Sequence, residues 1–164
     1  MKKPCQNKKK PGEWFYLNCD VYEVRIALYI GESSLYLKNG KKFLLKHFGE
    51  NSKSIIKDIK DWIGDSSFSP NSCMDCRNHN KQDIIIFLEK LNLSDPEDMG
   101  TFAHECVHAT FDILMFRNVI EKRDMADNEA AAYLLEFIFK NFLELVKKRK
   151  KKNDNTHKNT DFRG

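Results

Sequence analysis

The residues best suited to chemistry are His104-Glu105-Cys106-Val107-His108. On a helix, side chains four apart lie on one face, one turn above each other. The imidazoles of His104 and His108 can therefore share one zinc ion, and Glu105 is placed to act on a zinc-bound water. That is the minimum apparatus for metal-assisted hydrolysis.

Two imidazoles are too few for zinc, so a third ligand must come from a nearby element while one position stays open for water. Asp127-Asn128-Glu129 supplies carboxylates at the expected start of the next helix. The stretch from Leu114 to Ala132 is about the length that folds one helix back on another. Asp127 is a natural helix cap, which favours Glu129 as the ligand. Helical spacing further nominates Asp112, one turn beyond His108, to fix an imidazole tautomer, and Tyr133, one turn after Glu129, as a phenol for an oxyanion or substrate, against the plainer readings of Asp112 as a surface carboxylate and Tyr133 as a core aromatic. Glu136 shares the Glu129 face and reads as a polar break in an apolar helix.

A second metal set is weaker. Cys73, Cys76 and His79 have partial zinc-ligand spacing, with Cys5 or Cys19 to complete four, but no second paired motif follows, so reduced thiols are the simpler reading. Cys106 is one residue off the ligand face and is expected in the core. His47, expected at a strand end, and His157, in the tail, have no spaced partners.

The elements that must position these groups follow from periodicity. Val21 to Ile30 is rich in β-branched and aromatic residues and predicts a strand. Asn39-Gly40, between Ser34–Leu37 and Phe43–Leu45, predicts a hairpin. Ile55, Ile56, Ile59 and Ile63 form one stripe of a helix over 53–63, capped by Asn51 or Ser52. Residues 65–81 read as a long polar loop, and Asp83–Glu89 as a strand buried on both faces. Asp95-Pro96 opens the motif helix, which should run to about Phe116. After a turn over 117–124, a second helix starts at Asp124 or Asp127 and reaches about Lys148. Its aromatic residues Phe137, Phe139 and Phe142 make it the expected central spine.

The chain has 164 residues and a formal net charge of +4. Residues 1–12 hold five Lys and no acid, and 147–164 hold eight Lys or Arg against two Asp. The 15 basic and 22 acidic residues between them give the body a net −7. The expected organisation is a basic mobile arm (1–12), one domain (13–147) and a basic disordered tail (148–164). The basic ends can make weak contact with nucleic acid. Five cysteines, with no apolar leader and no apolar run fit to span a bilayer, favour a soluble cytoplasmic chain with reduced thiols and no membrane partner.

The set His104-Glu105-x-x-His108 with Asn128-Glu129 resembles the gluzincin branch of the zincin metallopeptidases, and His108-Ala109-x-x-Asp112 resembles the thermolysin-like form of the first helix. Residues 127–138 are also similar to small uncharacterised HExxH proteins of phages and prophages. The resemblance covers residues 83–147 and extends to the N-terminal half only by strand order. It departs where Leu134 and Leu135 replace a Ser-Asp pair, and in lacking a second lobe with its catalytic His. The resemblance implies that His104, His108 and Glu129 bind one zinc ion. It implies that Glu105 takes a proton from the zinc-bound water and passes it to the leaving amine. The implied fold is a minimal α+β zincin-like domain, with a small, mostly antiparallel sheet packed on two long helices carrying the metal. The implied function is a zinc-dependent peptidase acting on a peptide or protein. The rival readings are a non-catalytic zinc-binding regulatory module and a nucleic-acid-associated protein working through its basic ends.

Overall fold

A computed structural model describes residues 12–65, 69–78, 81–119 and 129–158. Four strands, β1 (Glu13–Cys19), β2 (Val24–Ile30), β3 (Ser72–Asn78) and β4 (Lys81–Leu88), form one mixed sheet in the order β1-β2-β4-β3. The outer pairs are antiparallel and the central β2–β4 pair is parallel. A parallel pair needs a long crossover, and this one runs through α1 (Tyr36–Phe48) and α2 (Ser52–Ile63). The remaining helices are α3 (Pro96–Phe116) and α4 (Glu129–Lys158).

The fold is α+β, with helices on both faces of the sheet instead of one. Successive side chains on β2 and β4 point to opposite faces, so Ile26, Leu28, Ile84 and Ile86 enter a core shared with α3 and α4. Ala27, Tyr29, Ile85 and Phe87 enter a second core shared with α1 and α2. The continuous apolar run of β4 is therefore buried on both sides, as its composition predicts. Each fully buried Ile or Leu contributes roughly 1.5–3 kcal/mol relative to exposure.

Three expected elements are corrected. The Asn39-Gly40 hairpin is instead the middle of α1, because Tyr36, Gly40, Leu44 and Phe48 recur every four residues and pack inward together. Gly40 is required there, since a Cβ would lie 2.7 Å from Trp14 Cζ2. His47 accordingly lies on α1, not at a strand end. The loop expected over 65–81 contains β3, a polar edge strand whose ladder is supplied by β4. The first residues of the Val21–Ile30 strand are a turn: Asp20–Tyr22 form one 3₁₀ turn and Glu23 has φ +51°.

The motif helix starts as expected. Asp95 Oδ1 accepts a hydrogen bond from the Glu97 amide at 3.0 Å, with Pro96 in the first turn. It ends with Asn118 at φ +54°, Asn118 N donating to Met115 O and Val119 N to Leu114 O. That double closure satisfies the last carbonyls of the helix. α4 packs by one stripe, Leu134, Ile138, Phe142 and Val146, while Tyr133 and Phe137 remain exposed, so it is an amphipathic flank and not a central spine. The helix continues past Lys148 to Lys158, through the basic run expected to be a disordered tail. Among the described residues no helix is long and apolar enough to cross a membrane.

Candidate metal centre

α3 packs on β3 and β4 through Phe102, Cys106, Ala109 and Ile113. This stripe turns His104 and His108 outward, where both are exposed, and leaves Glu105 at the boundary, 6% exposed. Cys106 is buried in the core, as its position off the ligand face predicts.

The two imidazoles converge. Their Nε2 atoms are 3.0 Å apart, with ring centroids 4.7 Å apart and planes at 82°. Two nitrogens bound to one tetrahedral zinc at about 2.0–2.1 Å would be separated by roughly 3.3 Å. The pair therefore already has nearly the bite of a metal chelate, and its nitrogen donors suit zinc.

Burial pushes the Glu105 carboxyl above its ordinary pKa, opposed by the charges of His108 and His104. A carboxyl with a raised pKa holds and releases protons nearer to neutral pH, as a general acid–base must. Asp112 lies within electrostatic reach of His108. Its pKa is raised first by burial and then by Asp75, and lowered by Arg77 and His108.

Asp75 and Arg77 come from β3, within the stretch whose composition predicts a loop. They form an ion pair, and the Arg77 guanidinium lies 5.3 Å over the Phe116 ring. The alternation Cys73, Asp75, Arg77 is the signal that places these residues on one side of a strand. Cys73 is half-buried near Asp112 and Glu105, and desolvation raises its thiol pKa well above normal.

The other expected site residues are distributed differently. Glu129 is the first residue of α4, is exposed, and is not brought together with the two histidines. Among the described residues no three His, Cys, Asp or Glu side chains form a metal-holding group. Asp127, Asn128 and His79 lie outside the described residues. Tyr133 is 70% exposed and lines a surface hollow with Val21, Tyr22 and Phe137 that neither histidine lines. Cys73 and Cys76 are three apart on a strand, so they enter opposite cores and do not share a site.

Comparison of this chain with protein-family models, with curated proteins and with solved structures finds no match.

Proposed function

We propose that this chain is a zinc-dependent peptidase that cleaves a peptide bond with Glu105 as general base and acid. The observation that carries the proposal is the 3.0 Å approach of His104 Nε2 to His108 Nε2 beside the buried carboxyl of Glu105. A structural zinc site has no use for such a base, which favours catalysis over a non-catalytic zinc-binding module.

In this reading His104 and His108 would hold the ion as neutral imidazoles, and a carboxylate brought up to the pair would close the protein ligand set; Glu129, exposed at the start of α4, would have to approach them to take that role. When bound, zinc supplies Lewis acidity and lowers the pKa of a coordinated water toward 7. Glu105 takes the proton of the attacking water and delivers it to the departing amine. Asp112 orients His108 from the adjoining turn.

Substrate capture follows from the sheet. β3 ends the strand order and packs on the motif helix. An extended peptide can pair with its outer edge, which carries no strand among the described residues, through main-chain hydrogen bonds and bring one carbonyl over the imidazole pair. The four free cysteines among the described residues fit a reducing, cytoplasmic setting.

The test is metal content and peptide hydrolysis measured together. Wild-type protein and Glu105→Gln should each retain about one zinc, and His104→Ala should lose it. Hydrolysis should fall by roughly 10²–10⁴-fold in Glu105→Gln. Wild-type protein that holds no metal after gentle purification would overturn the reading.

A further inference from the structure

The basic run of α4 does not stand alone. Lys148, Arg149 and Lys152 line a hollow of about 400 Å³ beside β1, the outermost strand on that side of the sheet among the described residues. Trp14, Tyr16, Phe43 and His47 line the same hollow from β1 and α1. These four rings form a continuous row. Trp14 stacks on Phe43 at 5.0 Å, Phe43 meets His47 at 4.5 Å, and His47 stacks on Tyr16 at 4.4 Å.

We infer that this hollow binds single-stranded nucleic acid, with bases against the aromatic row and phosphates along Lys148, Arg149 and Lys152. Proteins that bind single strands combine a cationic track with aromatic faces, and these two surfaces meet here across one sheet edge. The complementarity is local, because the body between residues 13 and 146 is net −7 while the run 147–152 is wholly basic. The present partners of two cations are weak competitors: Lys148 lies 3.6 Å from Glu144 and Arg149 lies 3.8 Å from Glu13, both at the surface. Exposed pairs of this kind contribute little, and phosphates can displace them. An acidic peptide would satisfy the cations and leave the ring row without a role, which is why a nucleic acid is the better occupant.

The chain has two tryptophans; both pack against Phe87 and the second core, but Trp14 lines the hollow and Trp62 is not among its lining residues. Trp62→Phe therefore leaves Trp14 as the single reporter of the hollow. Titration with an oligothymidylate of roughly twelve nucleotides should quench Trp14. The paired variant Lys148→Gln/Lys152→Gln changes only exposed side chains. It should weaken binding and reduce the slope of log affinity against log salt by about 1.4, from about 0.7 per phosphate contact. Tyr16→Leu, checked for folding by circular dichroism, should weaken oligothymidylate but not inorganic polyphosphate. Glu105→Gln should bind like wild type, which separates this site from the peptidase reading. No quenching at low salt would overturn the inference. So would equal binding of oligothymidylate and polyphosphate, or quenching by polyglutamate in place of the oligonucleotide.

Discussion

Gln82 on β4 donates its side-chain amide to the backbone carbonyl of Asp112 on α3, across 3.0 Å. The donor is 1% exposed, so this bond ties the motif helix to the sheet one turn beyond His108. Gln82→Ala removes the tether and opens space beneath α3. The expected cost is about 1–3 kcal/mol, the usual price of disrupting a buried polar contact. Urea unfolding measures it, and a change below about 0.5 kcal/mol would mean that apolar packing alone sets the helix position.

Metal affinity separates two carboxylates with different assigned roles. Asp112 is proposed to orient His108, and loss of such an outer partner typically weakens binding about 10–100-fold. Glu129 is proposed as a direct ligand, so Glu129→Gln should weaken zinc by more than Asp112→Asn does. Competition with a chromogenic chelator gives both values. The opposite order would transfer the ligand role away from Glu129.

The two free thiols nearest each other in sequence should be irrelevant to zinc. Cys73 and Cys76 point into opposite cores, so Cys73→Ala and Cys76→Ala should leave stoichiometry unchanged while lowering stability. Metal analysis of each variant checks this. Loss of one equivalent of zinc in both would require β3 to be something other than a regular strand.

Gly40 and Trp14 offer a reciprocal test. Alanine in a helix interior gains up to about 1 kcal/mol over glycine, yet the added methyl meets the Trp14 ring at 2.7 Å. Overpacking of this kind costs typically 1–3 kcal/mol, so Gly40→Ala should destabilise the protein. In a Trp14→Leu background the clash is relieved, and the same change should become neutral or stabilising. A double-mutant cycle reads the coupling, and additive effects would refute the contact.

The same pair explains where the sequence was hard to read. Asn-Gly between short apolar runs is a hairpin signal on local grounds, and only the bulk of Trp14, distant in sequence, makes a glycine necessary inside α1. β3 was hidden for a related reason. Cys73, Asp75 and Arg77 have little β propensity of their own, and the strand exists because β4 offers a backbone ladder. By contrast, β4, α2 and the start of α3 were legible because their signals are local: an unbroken apolar run, an isoleucine stripe, and Asp95-Pro96. The imidazole pair belongs to this group, since helical spacing alone brings His104 to His108. Glu129 depends on how two helices approach, which spacing does not specify.

Acid should loosen the entry to the motif helix. Asp98 accepts hydrogen bonds from Lys90 Nζ at 2.9 Å and from the Asn92 amide at 2.8 Å, which fastens the segment preceding α3. The Lys90 side chain foremost, then the Asn92 amide, holds the Asp98 pKa below its ordinary value of 3.8. A carboxyl depressed in the folded state contributes stability that is present above the unfolded pKa. That contribution disappears as pH falls through the lower, folded value. Asp98→Asn should therefore lower stability near neutral pH and flatten its decline below pH 3.8. Urea midpoints measured across the acid range test the point. Parallel curves for wild type and variant would show that Asp98 titrates alike in the folded and unfolded chain, and that its bonds to Lys90 and Asn92 contribute nothing to the acid response.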